Sequence, residues 1–480
     1  MEGSKLHLLL SSLSAPELNR LAKFLKSPYH NDDQHLVRCF AALLPYYKKQ
    51  QPALPERARL WKSTGESAAL TNLRFARLLS DLLKKTEHFL TVERLRESRQ
   101  DATYFLLDAY NNLAMQKHFQ APYVFAVEQL EKQPLRDSDY FFHRFRLNVQ
   151  QYHFLENKMQ RTTQKNLQET IHSLDVFYLI NKLRYSAAVL HYKQFLNMED
   201  PPGLQGLMAQ LRTEPPTVPV AEIYYYIVLT LIQPDTESHY QRLSNLLFKH
   251  TALLQEDTRK EVFAYTLNYC IRKINRGLSQ YQVELFKLYK DALKLGLLLQ
   301  GKQLNPWDFK NIATVALRNK EYKWTASFLE KYLPLLPKAE QENARTFNQA
   351  RYFFATAQYD RVLQLLQHVE YSDIFYLLDS KTTLMKTYFE LREYQPLLSL
   401  KESFRILLRR KKMISPQNRT NYGNFARLLM SLYRSGPGNR AKLEVLKKTI
   451  SNTQNIADKS WLEDKVNQWL YALDSRTARF

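Results

Sequence analysis

The chain has 480 residues, of which only 10 are glycine and 2 are cysteine, and its formal net charge at neutral pH is +22. Proteins use glycine at about 7% on average, so folds that depend on glycine-rich turns, β-bulges or phosphate-binding loops are disfavoured. Hydrophobic residues make up 45% of the chain and aromatic residues 13%, which excludes disorder of the chain as a whole. An all-α protein with helices joined by polar corners is the class that remains.

The first hundred residues predict a run of amphipathic helices. A capping box at Ser14 and Glu17 predicts a helix that ends before Pro28. A second helix is expected to end at Pro45, and a long amphipathic helix is predicted over residues 70–90. These elements form the predicted N-terminal helical module.

From about residue 100 the pattern becomes repetitive, with pairs of amphipathic helices joined at a short polar corner that holds an aromatic residue. Three corners are clear, at Tyr322, Tyr359 and Tyr394, and they lie 37 and 35 residues apart. Reading outward by the same rule gives further corner aromatics, namely Phe119, Tyr185, Tyr240, Tyr281 and Tyr433. A period of about 35 to 41 residues without a strand signal indicates a helix-turn-helix solenoid.

These corners resemble those of tetratricopeptide repeats over roughly residues 100–450. The residues that carry the resemblance most clearly are Ala316 in a first helix, Tyr322 at the corner, Ala326 in the second helix and Pro337 after it. The chain departs from the family pattern at the corner position usually filled with glycine, which is Lys320, and Ala326 comes one position late. The resemblance implies a right-handed α-solenoid with a binding groove lined by the first helix of each repeat.

The helix pattern divides the chain into three predicted parts. Residues 1–100 are the N-terminal helical module, residues 101–450 are the tetratricopeptide-like repeats, and residues 451–480 are a C-terminal capping helix and tail. Asp458 is expected to cap that last helix, whose apolar face carries Trp461. A solenoid needs such a terminal helix because its last repeat would otherwise expose an apolar face.

Residues 24–31, followed by the helix over residues 73–90, resemble the opening of helical-repeat proteins of Bacteroidetes-type bacteria. No activity comes with that resemblance. Helix signals alone also explain the segment, because Ser27 and Pro28 end one helix and Asn31 or Asp32 caps the next.

Motifs of catalytic and cofactor sites do not occur in the chain. It has no Gly-x-Gly-x-x-Gly, no Gly-Lys-Ser/Thr loop, no His-Glu-x-x-His and no Gly-x-Ser-x-Gly. Cys39 and Cys270 lie in apolar helical contexts, which predicts buried thiols without a disulfide or a zinc site. We therefore expect a protein that is not an enzyme and that holds no cofactor or metal.

Membrane and export signals are weak. The longest apolar run, residues 223–232, is far shorter than the roughly 18 residues that a membrane span needs. Residues 6–13 follow Lys5 as in a signal peptide, but polar residues interrupt their apolar stretch. We expect a cytoplasmic protein without a membrane span.

The positive charge is concentrated at the two ends of the chain. The formal charge is +7 for residues 1–100, +4 for residues 101–400 and +11 for residues 401–480. The densest basic run consists of Arg405, Arg409, Arg410, Lys411 and Lys412. Arg405, Arg409 and Lys412 recur at helical spacing, so one face of this helix is expected to be strongly positive. That face is either a binding surface for phosphates or an acidic partner protein, or simply a solvated basic face.

Two functions from different classes fit these observations. The leading hypothesis is a non-enzymatic repeat scaffold that binds a protein or peptide partner in the solenoid groove by shape and charge complementarity. The candidate groove residues on predicted first helices are Arg345, Arg351, Lys381 and Lys386. The alternative is a nucleic-acid-associated protein that grips phosphates with its basic C-terminal helices. An enzyme with a site assembled from distant positions is disfavoured, because solenoids seldom build enclosed pockets.

Overall fold

The computed structural model describes residues 3–49, 53–157, 164–193, 196–367, 374–411 and 414–477. Over these ranges the protein is all-α, with 23 α-helices and one very short strand pair. None of the helices in the described ranges is long and apolar enough to cross a membrane. The chain forms two compact units, Met1–Lys182 and Leu183–Phe480, and the three-part division at residues 100 and 450 stays a prediction.

Polar caps begin several helices of the first unit. Ser14 and Glu17 form the expected capping box, and the Asp33 carboxylate accepts the backbone N–H of His35 at 2.7 Å. Asp33 therefore caps the helix for which Asn31 or Asp32 was expected. The helices are α1 (Lys5–Ser12), α2 (Ala15–Lys26), α3 (Gln34–Tyr47), α4 (Arg57–Ser63), α5 (Asn72–Glu97), α6 (Arg99–Asn112), α7 (Gln116–Glu131), α8 (Ser138–Asn157) and α9 (Gln164–Lys193), which continues beyond residue 182.

Two predicted helix ends in this part of the chain are wrong. Pro45 lies inside α3 and not at its end. Tyr185 lies in the middle of the 30-residue helix α9, where a corner was expected. An aromatic residue after a charged one is a weak corner signal by itself, because the same spacing also occurs within a continuous helix.

The second unit is a succession of helix pairs. Its elements are α10 (Leu204–Thr213), α11 (Pro219–Ile232), α12 (Glu237–His250), α13 (Glu256–Asn275), α14 (Tyr281–Lys294), β1 (Leu299–Gln300), β2 (Gln303–Leu304), α15 (Pro306–Arg318), α16 (Tyr322–Tyr332), α17 (Lys338–Ala355), α18 (Tyr359–Leu366), α19 (Ile374–Glu390), α20 (Tyr394–Arg410), α21 (Pro416–Ser435), α22 (Arg440–Asn452) and α23 (Lys459–Thr477). The antiparallel pair β1–β2 is a small exception to the expectation of no strands.

Within this unit, each helix from α11 onward packs on its sequence neighbour, and the odd-numbered helices from α15 onward also pack on the next odd-numbered helix. The helices α15, α17, α19 and α21, which we call the first helices, lie side by side in that order, and α16, α18, α20 and α22 each pack on the first helix that precedes them. Four of the predicted corner aromatics, Tyr281, Tyr322, Tyr359 and Tyr394, are the first residues of α14, α16, α18 and α20. The corners predicted at these four residues are therefore confirmed. Phe119 and Tyr240 are each the fourth residue of a helix, α7 and α12, and Tyr433 lies inside α21, so these three do not mark the corner itself.

The corners share one strained backbone geometry. The left-handed corner residues are Lys320 (φ 59°), Ala357 (φ 56°) and Arg392 (φ 60°). At the first, the Lys320 N–H donates to the Leu317 carbonyl and the Glu321 N–H donates to the Ala316 carbonyl, both at 3.0 Å. This is the Schellman arrangement, which glycine normally occupies because it has no Cβ.

The last helix covers the apolar end of the unit. Leu462 and Val466 of α23 are fully buried in one core cluster with Phe389 and Phe425. The ring of Trp461 meets that of Phe389 edge-on, with the two ring centroids 5.5 Å apart. The packing agrees with the expected capping role of this helix.

Replacement of Lys320 by glycine should stabilise the protein by about 1 kcal/mol, because a left-handed conformation costs an L residue roughly that amount. Urea unfolding followed by circular dichroism measures the change. Lys323→Gly is the matched control, because Lys323 is exposed and lies inside α16, where glycine should destabilise by about 1 kcal/mol. Equal effects of the two substitutions would contradict the corner strain.

Candidate functional site

A cavity of about 340 Å³ opens in the second unit where the first helices lie side by side. Its wall contains charged side chains from α15, α17 and α19 and from the segment before α23. We call it the polar cleft and define it by its six charged residues, Lys310, Arg318, Arg351, Asp379, Lys386 and Asp458. Four cations against two carboxylates give the cleft a formal charge of +2.

Asp379 anchors one side of the cleft. Its carboxylate lies 2.6 Å from the Lys310 ammonium and accepts the Tyr422 hydroxyl at 2.5 Å. Burial, together with the charge of Asp379, raises the pKa of Tyr422, so the phenol stays a proton donor. The Lys310 ammonium also lies 5.1 Å from the Trp307 ring centroid and 5.2 Å from that of Phe347. Aromatic faces and one carboxylate together replace the water that this buried cation has lost.

Asp458 anchors the other side. Its carboxylate lies 2.5 Å from the Lys386 ammonium and 3.8 Å from a guanidinium nitrogen of Arg318. Burial opposes ionisation of Asp458, but the charges of Lys386, Arg351 and Arg318 outweigh it and hold the pKa at about 2. The carboxylate is therefore ionised at neutral pH. Its backbone is left-handed, with φ 49°.

Arg351 differs from the other cations of the cleft. One of its guanidinium nitrogens donates to the Thr314 hydroxyl at 2.8 Å. Among the residues that the structure describes, it has no carboxylate partner within 4.0 Å. Burial lowers its pKa, and the more distant Asp379 and Asp458 only partly compensate. Arg351 is half-buried, and a partly desolvated cation without a contacting anion is unfavourable for the free protein and favourable for an incoming anion.

The cleft contains two of the four predicted groove residues, Arg351 on α17 and Lys386 on α19. The other two lie on the same helices but outside its wall. Arg345 is exposed and pairs with Glu342 at 3.3 Å, whereas Lys381 is half-buried.

The remaining charged residues of the cleft were not singled out from the sequence. Lys310 stands between the buried residues Phe309 and Ile312, which is an unusual place for a cation and the clearest signal that was missed. Lys310, Arg351 and Lys386 also follow one another at 41 and 35 residues, close to the repeat period. Asp458 precedes α23 as expected, but its carboxylate binds Lys386.

The basic C-terminal run lies mostly at the end of α20. Arg405 pairs with Glu402 at 2.9 Å, while Arg409 and Arg410 are exposed in the last helical turn. Lys411 is the exposed C-cap residue, and Lys412 lies outside the described residues. Cations in a last turn stabilise the helix dipole, so a structural role accounts for much of this run.

Both cysteines are buried as predicted. Burial raises the pKa of Cys39 and of Cys270 to about 12, so both thiols are neutral and inert. In the described part of the chain, no group of three or more His, Cys, Asp or Glu side chains is placed to hold a metal ion.

Asp458→Asn should lower the free energy of unfolding at pH 7 by about 2 kcal/mol, the linkage value of a carboxyl pKa depressed from 3.8 to about 2. The unfolded chain begins to bind the proton near pH 4 and the folded protein only near pH 2. The difference between wild type and variant should therefore fall to about half by pH 3.

Urea unfolding at pH 7 and pH 3 measures this difference. Asp175→Asn is the control, because Asp175 is exposed on α9, and its effect should stay within about 0.5 kcal/mol. A pH-independent loss in Asp458→Asn would show that the carboxylate charge is not what stabilises the fold.

No protein-family model matches the chain, and neither the curated proteins nor the solved structures offer a match to it. The polar cleft and the basic end of α20 are therefore the features from which a function can be inferred.

Proposed function

We propose that the protein is a non-enzymatic scaffold, a right-handed solenoid of tetratricopeptide-like repeats after an N-terminal helical module, that binds an acidic segment of a partner protein along its first helices. The observation that carries this proposal is the guanidinium of Arg351. It lies in a cleft of formal charge +2, donates to a neutral hydroxyl and lies 5.6 Å from the Phe347 ring centroid, and no carboxylate of the described residues is within 4.0 Å of it. An anionic group of the partner would supply the missing counter-charge.

The side-by-side packing of α15, α17, α19 and α21 supports an extended binding surface. Successive first helices present side chains at regular intervals, as a peptide-binding groove requires. One partner segment could contact several of these helices. The surface of the protein would then complement the shape and charge of the segment over a greater length than a single pocket allows.

The side chains of the cleft suit binding better than catalysis. Asp458 has a pKa of about 2 because the neighbouring cations outweigh its burial, so it is a weak general base. The hydroxyls of Thr382 and Thr383 donate to the Leu378 and Asp379 carbonyls, both at 2.9 Å. Their protons are thus engaged by backbone carbonyls, which disfavours these hydroxyls as nucleophiles.

Nucleic-acid binding by the C-terminal helices is the second candidate. The observation in its favour is a set of exposed cations, namely Arg409, Arg410, Arg427, Lys442, Lys447 and Lys448. Affinity for nucleic acid that falls steeply with salt, and that a charge reversal at Arg409 and Arg410 abolishes, would support it. Weak binding at low salt would rule it out.

Arg351→Met should abolish capture of the partner from a lysate of the native cell, with tagged full-length protein as bait. The matched control is Arg361→Met, which removes an exposed arginine from the neighbouring helix α18 and should capture as wild type does. Nuclease treatment of the lysate should change nothing. Capture that survives Arg351→Met, or that disappears with nuclease, would contradict the proposal.

The same substitution should stabilise the free protein. Methionine keeps much of the aliphatic length of Arg351 and removes a desolvated charge, so we expect a gain of about 1 kcal/mol in the free energy of unfolding. Arg361→Met should stay within about 0.5 kcal/mol of wild type. Urea unfolding without added anions provides the measurement, and a marked loss of stability would mean that Arg351 is structural.

A further inference from the structure

We infer that the polar cleft binds a dianionic oxyanion, namely the phosphate monoester of a phosphorylated side chain in the partner protein. This inference rests on the proposed function, because it names the group that the partner inserts. It adds a requirement that a generic acidic segment does not have, namely two negative charges on one tetrahedral group.

The charge balance of the cleft distinguishes a dianion from a single carboxylate. Asp379 neutralises Lys310, and Asp458 is shared between Lys386 and Arg318. One positive charge is left over at that shared carboxylate and a second at Arg351. A phosphate monoester carries a charge of about −1.5 to −2 at neutral pH, whereas one carboxylate would leave a desolvated positive charge behind.

The donors of the cleft also suit phosphate. A guanidinium is a planar fork of five N–H donors that binds phosphate oxygens in pairs, and the contact with Thr314 uses one nitrogen of that fork. The side-chain amides of Asn311 and Asn418 line the same cavity and supply further N–H donors. The N–H donors of the cleft thus come from three helices, α15, α17 and α21.

The two carboxylates of the cleft do not prevent anion binding. Asp379 is covered by the Lys310 ammonium and the Tyr422 hydroxyl, and Asp458 by the Lys386 ammonium. A cavity of about 340 Å³ falls within the range of small-ligand pockets, about 300 to 1,000 Å³. It accommodates a phosphate group together with the side chain that carries it.

The pH dependence of binding follows from the ligand. The second ionisation of a phosphate monoester has a pKa of about 6, and no histidine lines the cleft. The groups that face the phosphate are Lys310, Arg318, Arg351, Asp379, Lys386, Tyr422 and Asp458. Affinity should therefore rise between pH 5.5 and pH 7.5 as the monoester loses its second proton.

The test is isothermal titration of the full-length protein with a short peptide that contains one phosphoserine. Matched peptides with serine or glutamate at that position, and inorganic phosphate, are titrated in parallel. We expect the phosphopeptide to bind at least about tenfold more tightly than the glutamate peptide, and inorganic phosphate to compete with it. Equal affinity for the glutamate peptide, or binding of inorganic phosphate without the phosphopeptide, would overturn the inference.

Variants place the binding in the cleft. Arg351→Met should weaken phosphopeptide binding by about 10- to 100-fold, the usual effect of losing charge-assisted hydrogen bonds. Arg351→Lys keeps the charge but loses the fork, so we expect about a tenfold loss, and it decides the matter if the methionine variant fails to fold. The control Arg361→Met, at an exposed residue of α18 outside the cleft, should bind as wild type does. Unchanged binding in both Arg351 variants would overturn the proposed site.

Phosphatase treatment of the lysate separates this inference from the proposed function. If both hold, partner capture requires Arg351 and is lost when the lysate is dephosphorylated. If capture requires Arg351 but survives phosphatase, the scaffold function stands and the phosphate inference is wrong. If the phosphopeptide binds in the cleft but no partner capture requires Arg351, the proposed scaffold function is wrong.

Discussion

The contacts of Asp379 and Asp458 in the polar cleft are the constraint on which the second unit depends. Asp379 on α19 binds Lys310 on α15 and Tyr422 on α21, and Asp458 before α23 binds Lys386 on α19. These contacts join elements that are far apart in the chain and allow the face between them to be polar. Polar side chains on that face leave a cavity where apolar ones would interdigitate.

Of the four cations of the cleft, Arg351 alone has no carboxylate within 4.0 Å among the residues that the structure describes. Its position costs stability in the free protein, since its charge is desolvated and its nearest partner is a hydroxyl. Groups that are unfavourable in the free protein and surrounded by a preorganised wall are typical of binding sites. Stability and function thus make opposite demands on this residue, and the proposed function rests on that opposition.

Because glycine is scarce, non-glycine residues adopt the left-handed backbone conformation at several helix corners. Lys320, Ala357 and Arg392 take the left-handed corner positions that glycine usually fills, and the strain is offset by the packing of the helix pairs on either side. A sequence rule that searches for glycine at helix ends would miss these corners. At these three corners the aromatic residue that begins the following helix, Tyr322, Tyr359 or Tyr394, marks the position in the sequence.

Local signals therefore predicted the helices well and the site only in part. Capping residues and apolar spacing predicted the all-α class and the buried cysteines, because both depend on neighbours within one or two turns. The cleft depends on pairs such as Lys386 with Asp458, which are 72 residues apart, and no local pattern encodes such a pair. The sequence indicates Arg351 and Lys386 only because they lie on predicted first helices. Their contacts with Thr314 and Asp458 are seen only in the folded chain.

Whether Arg351 binds an anion can be seen in crystals of the protein that have been soaked with the phosphoserine peptide. We expect electron density for a phosphate group in the polar cleft, with two of its oxygens within hydrogen-bond distance of the Arg351 guanidinium. The ion pairs of Asp379 with Lys310 and of Asp458 with Lys386 should be retained. A structure in which Arg351 instead closes onto one of those carboxylates, with the phosphate elsewhere or absent, would contradict the proposed anion site.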